Sequence, residues 1–399
     1  MELINMMPEP FVRLDKDLKS AAATLSAAEA RFLVDAYYTV QDYRIRFNNQ
    51  IRALSQSGEP HELIKWHAGN VQGLEKQYAN ALDKYSSAHP VGEWLRSIVG
   101  IGPVIASGLL AHIDIHKAPT VGHIINFVGY NPNIKWLGKA GAAGVVNQVL
   151  GSQRNAEVTE EALVEVASLA NRKPDNIRNL AFDKEKDRIT RASLTAALAK
   201  RPWNADVKKL LFLLGESFIK VQNNPRDIYG KMYVERKRLE SEANLLNYYQ
   251  EQAENALQIK SYGKDTEAYK WYSDSKLPPA HIHARARRYA VRMFLSHLHQ
   301  VWYEIEYGRP APRPYAVEHL GHVHVILPPN WPLQSRAAAL TVNEEQNIIN
   351  EIIQDNETIE EDADEDIVSN DSVPQIAPQN RSLATKLAHF KEELERRRQ

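Results

Sequence analysis

The stretch from Ser97 to Ile113, Ser-Ile-Val-Gly-Ile-Gly-Pro-Val-Ile-Ala-Ser-Gly-Leu-Leu-Ala-His-Ile, constrains this chain more than any other. It reads as a helix, a Gly-x-Gly turn and a second helix, the pattern of a helix-hairpin-helix. Gly100 and Gly102 bracket one apolar residue, Ile101, so the turn can take backbone angles closed to other residues and approach a ligand without an intervening Cβ. Pro103 has no amide hydrogen to lose and suits the first turn of the following helix. The amides of such a helix start carry partial positive charge, and a phosphate oxygen can dock on them. Ala106, Leu109, Leu110 and Ile113 continue the pattern as an apolar helical face. Two readings fit. In the preferred one, Gly100, Ile101, Gly102, Pro103 and Val104 hold nucleic-acid backbone; in the other, the segment is a tight αα-turn with a packing role alone.

Charge supports the first reading. Of the 49 basic and 50 acidic side chains, residues 343–399 hold six and fifteen, which leaves the body from 1 to 342 with a net charge of +8. Twelve acids and no Lys or Arg lie between 343 and 380. A basic body with an acidic tail fits a polyanion-binding protein carrying an electrostatic guard, and fits equally a plain solvated acidic linker. The chain has no cysteine, which excludes disulfides and thiolate-bound zinc. Neither a secretory leader in Met1 to Lys19 nor a run of ~20 apolar residues is present, so a soluble, cytoplasmic protein is expected.

The hydrophobic pattern is helical nearly throughout. Ser26-Ala27-Ala28-Glu29 is a capping-box signature, and helical spacing follows from Ala30 through Leu54. Ser57-Gly58-Glu59-Pro60 interrupts it, and a second run passes from Leu63 to Leu82 and ends near His89-Pro90. Residues 25–87 therefore form either a dimerising coiled coil or an intramolecular hairpin packed on the rest. The Gly-rich segment 129–151, with Lys135 and Lys139, reads as an irregular loop. Thr159, Thr190 and Asn204 each precede a helical run, residues 228–262 suggest one charged helix, and Pro278-Pro279 opens a strong helix to Glu306. On that last helix Arg285, Arg288 and Arg292 stand at i, i+3 and i+7, a spacing that can follow a phosphate backbone or form a solvated charged face. A short strand is expected at Val323–Leu327, disorder through the acidic tail, and a basic helix at the end. The expected fold is mainly α, with a helical hairpin over 1–90, a helix-hairpin-helix domain over 91–155, a helical Arg/His-rich region over 156–335, an acidic linker over 336–380 and a basic helix over 381–399.

The segment Trp94–Pro132 resembles the C-terminal domain of the insertion-sequence transposases of the insertion sequence 110 group, whose full-length members are guided by a structured RNA. In that group a Pro-Gly-Ile-Gly-Pro-type hairpin precedes a phenylalanine-bearing helix and a Gly-Leu-x-Pro-like segment. The matching residues here are Val99-Gly100-Ile101-Gly102-Pro103, Phe127 and Gly129-Tyr130-Asn131-Pro132. The resemblance covers about a third of the chain and loosens after Gly138, with 155–205 reading as an insertion. It implies DNA as a partner through backbone contacts, structured RNA as a second, and a place in transposition or DNA recombination by a mobile element. Two parts of the family pattern are missing. Only about 24 residues precede the first helix, too few for the family's resolvase-like catalytic domain with its four metal-binding acids. The family's serine after the Gly-Leu-x-Pro segment is replaced by Asn133-Ile134-Lys135-Trp136-Leu137-Gly138-Lys139. No catalytic residue and no cofactor is assigned, and the expectation is a DNA-binding, transposase-like protein without autonomous strand transfer.

Half of the fourteen histidines lie between 281 and 324: His281, His283, His297, His299, His319, His322 and His324. His322 and His324 would share a face of a strand and could ligate a metal, which keeps open a metal-dependent recombinase or nuclease. Surface or core-edge histidines are the preferred reading, because His297 and His299 point apart on a helix. A helical scaffold that oligomerises through 25–87 is the remaining alternative.

Overall fold

Ser26 caps the first long helix in the way its sequence predicts. Its hydroxyl accepts from the Glu29 amide, and its own amide donates to the Glu29 carboxylate at 2.8 Å. The computed structural model describes residues 14–56, 58, 61–151, 158–184, 186–313 and 326–331. These residues are mainly helical. In chain order the helices are α1 (Lys16–Ala21), α2 (Ala27–Ser55), α3 (Glu62–Ala88), α4 (Pro90–Ser97), α5 (Pro103–His112), α6 (Val121–Val128), α7 (Gly138–Leu150), α8 (Glu160–Leu169), α9 (Pro174–Ala181), α10 (Arg191–Ala199), α11 (Ala205–Val221), α12 (Tyr229–Leu245), α13 (Gln250–Ile259), α14 (Glu267–Ser273) and α15 (Pro279–Tyr307). The two-residue strands β1 (Phe182–Asp183) and β2 (Arg188–Ile189) pair antiparallel. None of these helices is long and apolar enough to cross a membrane.

The chain divides into two compact units. The first comprises Met1–Ile124, Lys209–Gly230 and Met293–Ala338. Here α2 and α3 lie against each other and against α5, where Val34, Leu82 and Val104 share a core with Leu33, Tyr37, Tyr38 and Ala79. Ser107 is fully buried and donates to the Leu82 carbonyl at 2.8 Å, a structural bond that accounts for its hydroxyl. The α2–α3 pair is thus packed on its own chain, yet Phe32, Leu63 and Trp66 remain 70%, 61% and 57% exposed. Phe218, Tyr229 and Phe294 form a second, aromatic core, with Trp94 stacked on Phe294.

The second unit comprises Ile125–Lys208, Lys231–Arg292 and Ala339–Gln399. One of its cores joins Ala142 and Val146 of α7 to Leu163, Val166, Ile177, Leu194 and Leu198. Two expectations change here. The segment expected as a loop over 129–151 contains the helix α7, because burying Ala142, Val146 and their neighbours outweighs the roughly 1 kcal/mol that each internal glycine costs a helix. The boundary expected at 155 also falls inside one core, so the residues read as an insertion complete the packing of α7. Similarly, the single charged helix expected over 228–262 is two, α12 and α13. Asn247 takes a left-handed conformation (φ 58°), and the Tyr248 amide returns to the Ala243 carbonyl at 3.0 Å, ending α12. Residues 323–325 of the expected strand, the acidic tail, the terminal helix and His319, His322 and His324 lie outside the described residues.

Candidate functional site

The turn between α4 and α5 is built from the first unit's own packing. Gly100 has φ 95°, a region where only glycine is unstrained, and its carbonyl accepts from the Ser217 hydroxyl at 2.6 Å. A Cβ at Gly100 would stand 3.2 Å from both Phe218 and Val221, so α11 buttresses this residue from behind. Gly102 differs. It caps α5 with an ordinary extended conformation (φ −88°, ψ 175°), and a Cβ there would meet nothing within 4 Å. The unusual backbone angle that the sequence allows in this turn is taken at Gly100 and not at Gly102. Ile101 and Val104 are only 6% and 8% exposed, so their side chains anchor the turn, and the Ile101 amide already donates to the Ile98 carbonyl at 3.1 Å. Pro103 opens α5, and no side chain caps its first amides.

The arginine stripe is not a solvated face. Arg285 is buried, and its Nε donates to Glu240 Oε2 at 2.7 Å, while Arg236 Nε donates to the other oxygen at 2.8 Å. The Tyr249 hydroxyl donates to the same carboxylate at 2.8 Å. Burial alone would raise the Glu240 carboxyl, but Arg285 and then Arg236 outweigh it and hold it down at about 2. Arg285 also lies over the Tyr249 ring and Arg236 over Tyr289. Arg288 and Arg292 are half-buried. The i, i+3, i+7 spacing was legible in the sequence, but the carboxylate that consumes its first member comes from α12, 45 residues away.

Of the four described histidines in the 281–324 cluster, His281, His297 and His299 are buried and His283 is half-buried. His297 sits between the Tyr229 hydroxyl (2.8 Å) and the Ile326 carbonyl (2.9 Å), and burial pushes it down to about 4 against the pull of that carbonyl. His299 is hydrogen-bonded to the Ala118 carbonyl at 2.9 Å and is also lowered by burial. In the second unit, His281 is within 3.4 Å of the Tyr272 hydroxyl, and His283 is within 2.8 Å of the Tyr233 hydroxyl. Among the described residues, no three His, Asp or Glu side chains are grouped to hold a metal ion.

Lys135 and Lys139, in the second unit, are exposed. Lys139 lines a cleft of about 670 Å³ with Trp136, Arg191, Thr195 and Lys200. The signal for Trp136 in the sequence is its place between Lys135 and Lys139, which together with the Lys200-Arg201-Pro202-Trp203 run carries the basic–aromatic mixture of a nucleic-acid surface. The indole Nε1 donates to the Ala199 carbonyl at 2.8 Å, and the Arg201 guanidinium stands 4.7 Å from the ring centre. Trp203 is paired in the same manner with Lys208 at 4.0 Å. No family model, curated protein or solved structure matches this chain.

Proposed function

We propose that this protein binds nucleic-acid backbone through the α4–α5 turn, acting as a helix-hairpin-helix of the kind its sequence resembles in insertion-sequence transposases. The observation that carries the reading is the open position at Gly102: nothing stands within 4 Å of where its Cβ would be, and no side chain caps the first turn of α5. A phosphate oxygen can reach the amides there, and the positive end of the helix favours it. Such contacts position a strand without reading its sequence. DNA is the proposed partner and structured RNA the second, and no strand-transfer step is assigned to the residues of this chain. The exposed apolar side chains of α2 and α3 support a homo-oligomer formed through 25–87.

The test is Gly102→Asp. Aspartate is a good N-cap and Gly102 already has compatible angles, so the variant folds with unchanged or slightly raised Tm. Its carboxylate would occupy the amides and repel phosphate. Duplex DNA affinity measured across a salt series is expected to fall, with a shallower slope by about one unit per lost phosphate contact. A variant that binds duplex as tightly as wild type overturns the reading.

A further inference from the structure

We infer that the cleft at Trp136 receives a base of single-stranded nucleic acid, stacked on the indole, with flanking phosphates on Lys139 and Lys200. The inference shares the polyanion class proposed for the α4–α5 turn but concerns a separate set of residues in the second unit. It begins from the ring. Trp136 is held at its edge by the bond to the Ala199 carbonyl and against Arg201 by a cation–π contact, yet it stays 39% exposed. An immobilised, half-exposed indole is a stacking surface that loses little entropy when a second ring covers it. Ala192, Thr195 and Ala196 line the same cleft with short side chains, and its volume is about 670 Å³. Small-molecule pockets commonly span roughly 300–1,000 Å³.

Charge decides which aromatic ligand fits. Among the described residues, the lining holds Lys139, Arg191 and Lys200 and no carboxylate. The Arg191 guanidinium is oriented by Asn147 and by the Gly151 carbonyl at 2.7 Å, while Lys139 and Lys200 are exposed and form no ion pair with a described residue. A flat apolar ring joined to negative charge describes a nucleotide. In a duplex the base faces are stacked on their neighbours, whereas a single strand offers base and phosphate together.

The experiment measures binding of the full-length protein to a short labelled oligothymidine strand and to the same strand with its bases removed. Wild type is expected to prefer the base-bearing strand by about tenfold, the scale of one stacked base. Trp136→Ala should abolish that preference and Trp136→Phe should retain most of it, with thermal melting showing each variant folded. The double variant Lys139→Glu with Lys200→Glu should weaken both strands alike and flatten the salt dependence. Wild type that fails to distinguish the two strands, or a Trp136→Ala variant that still does, overturns the assignment. Complete displacement of the strand by free adenosine monophosphate at equal nucleotide concentration overturns it in favour of a free nucleotide. Because Gly102→Asp is read on duplex and Trp136→Ala on the base-dependence of single strands, either proposal can fail while the other stands.

Discussion

Arg285 and Glu240 form a buried ion pair at 2.7 Å in which neither side chain is more than 7% exposed. Arg236 completes it from the same helix as Glu240, one turn earlier. Removing the carboxylate would leave two guanidinium groups buried without it. Glu240→Ala is expected to lower stability by about 3–5 kcal/mol, measured by urea unfolding. The pH sign follows from the low carboxyl value. The pair's contribution is complete above the ordinary carboxylate range and is lost as pH falls toward about 2. Unchanged stability in the variant would mean that the arginines find other partners.

Glycine substitutions separate architecture from the proposed ligand contact. A Cβ at Gly92 would overlap the Ser86 carbonyl oxygen, a backbone atom that cannot turn aside. Gly92→Ala is expected to cost about 1–3 kcal/mol by displacing α4 from the end of α3. Gly102→Ala, placed in open space, is expected to lie within about 1 kcal/mol of wild type. Thermal melting of the two variants side by side checks the contrast, and equal losses would contradict it.

His297 predicts acid sensitivity at moderate pH. The buried imidazole is neutral in the folded protein down to about 4, while in the unfolded chain it takes a proton near the ordinary 6.5. The unfolded state binds more protons across that window, so stability is full above about 6.5 and declines as pH falls to about 4. At ~1.4 kcal/mol per unit, this one residue accounts for about 3 kcal/mol. His297→Gln should be less stable at neutral pH and show a shallower decline between those values. An identical pH profile in the variant would assign the acid sensitivity elsewhere.

The leftover apolar surface of α2 and α3 predicts self-association. Leu63 and Trp66 are more than half exposed, so replacing both with serine should leave Tm nearly unchanged. Sedimentation velocity at micromolar concentration is expected to show a dimer for wild type and a monomer for the double variant. A monomeric wild type would rule the hairpin out as an oligomer seam.

Elements whose signals are local were legible from neighbouring residues. The caps at Ser26, Thr159 and Thr190, the Gly100 turn and the Pro279 helix start all follow from side chains and backbone angles within a few residues of one another. The existence of a turn between two helices at 98–102 was legible for the same reason. Which groups stay available depended on contacts between distant segments. Arg285 looked like a phosphate contact until α12 brought Glu240 to it, and Ile101 and Val104 went into the core. The Gly-rich stretch 138–150 became helical because α8, α9 and α10 cover its valines. The cleft at Trp136 needs residues as far apart as Trp136 and Ala199, 63 positions along the chain, and has no local signature as a cavity. Local hydrogen bonds and periodicity are written in neighbouring residues, whereas burial and charge pairing depend on which distant segments arrive.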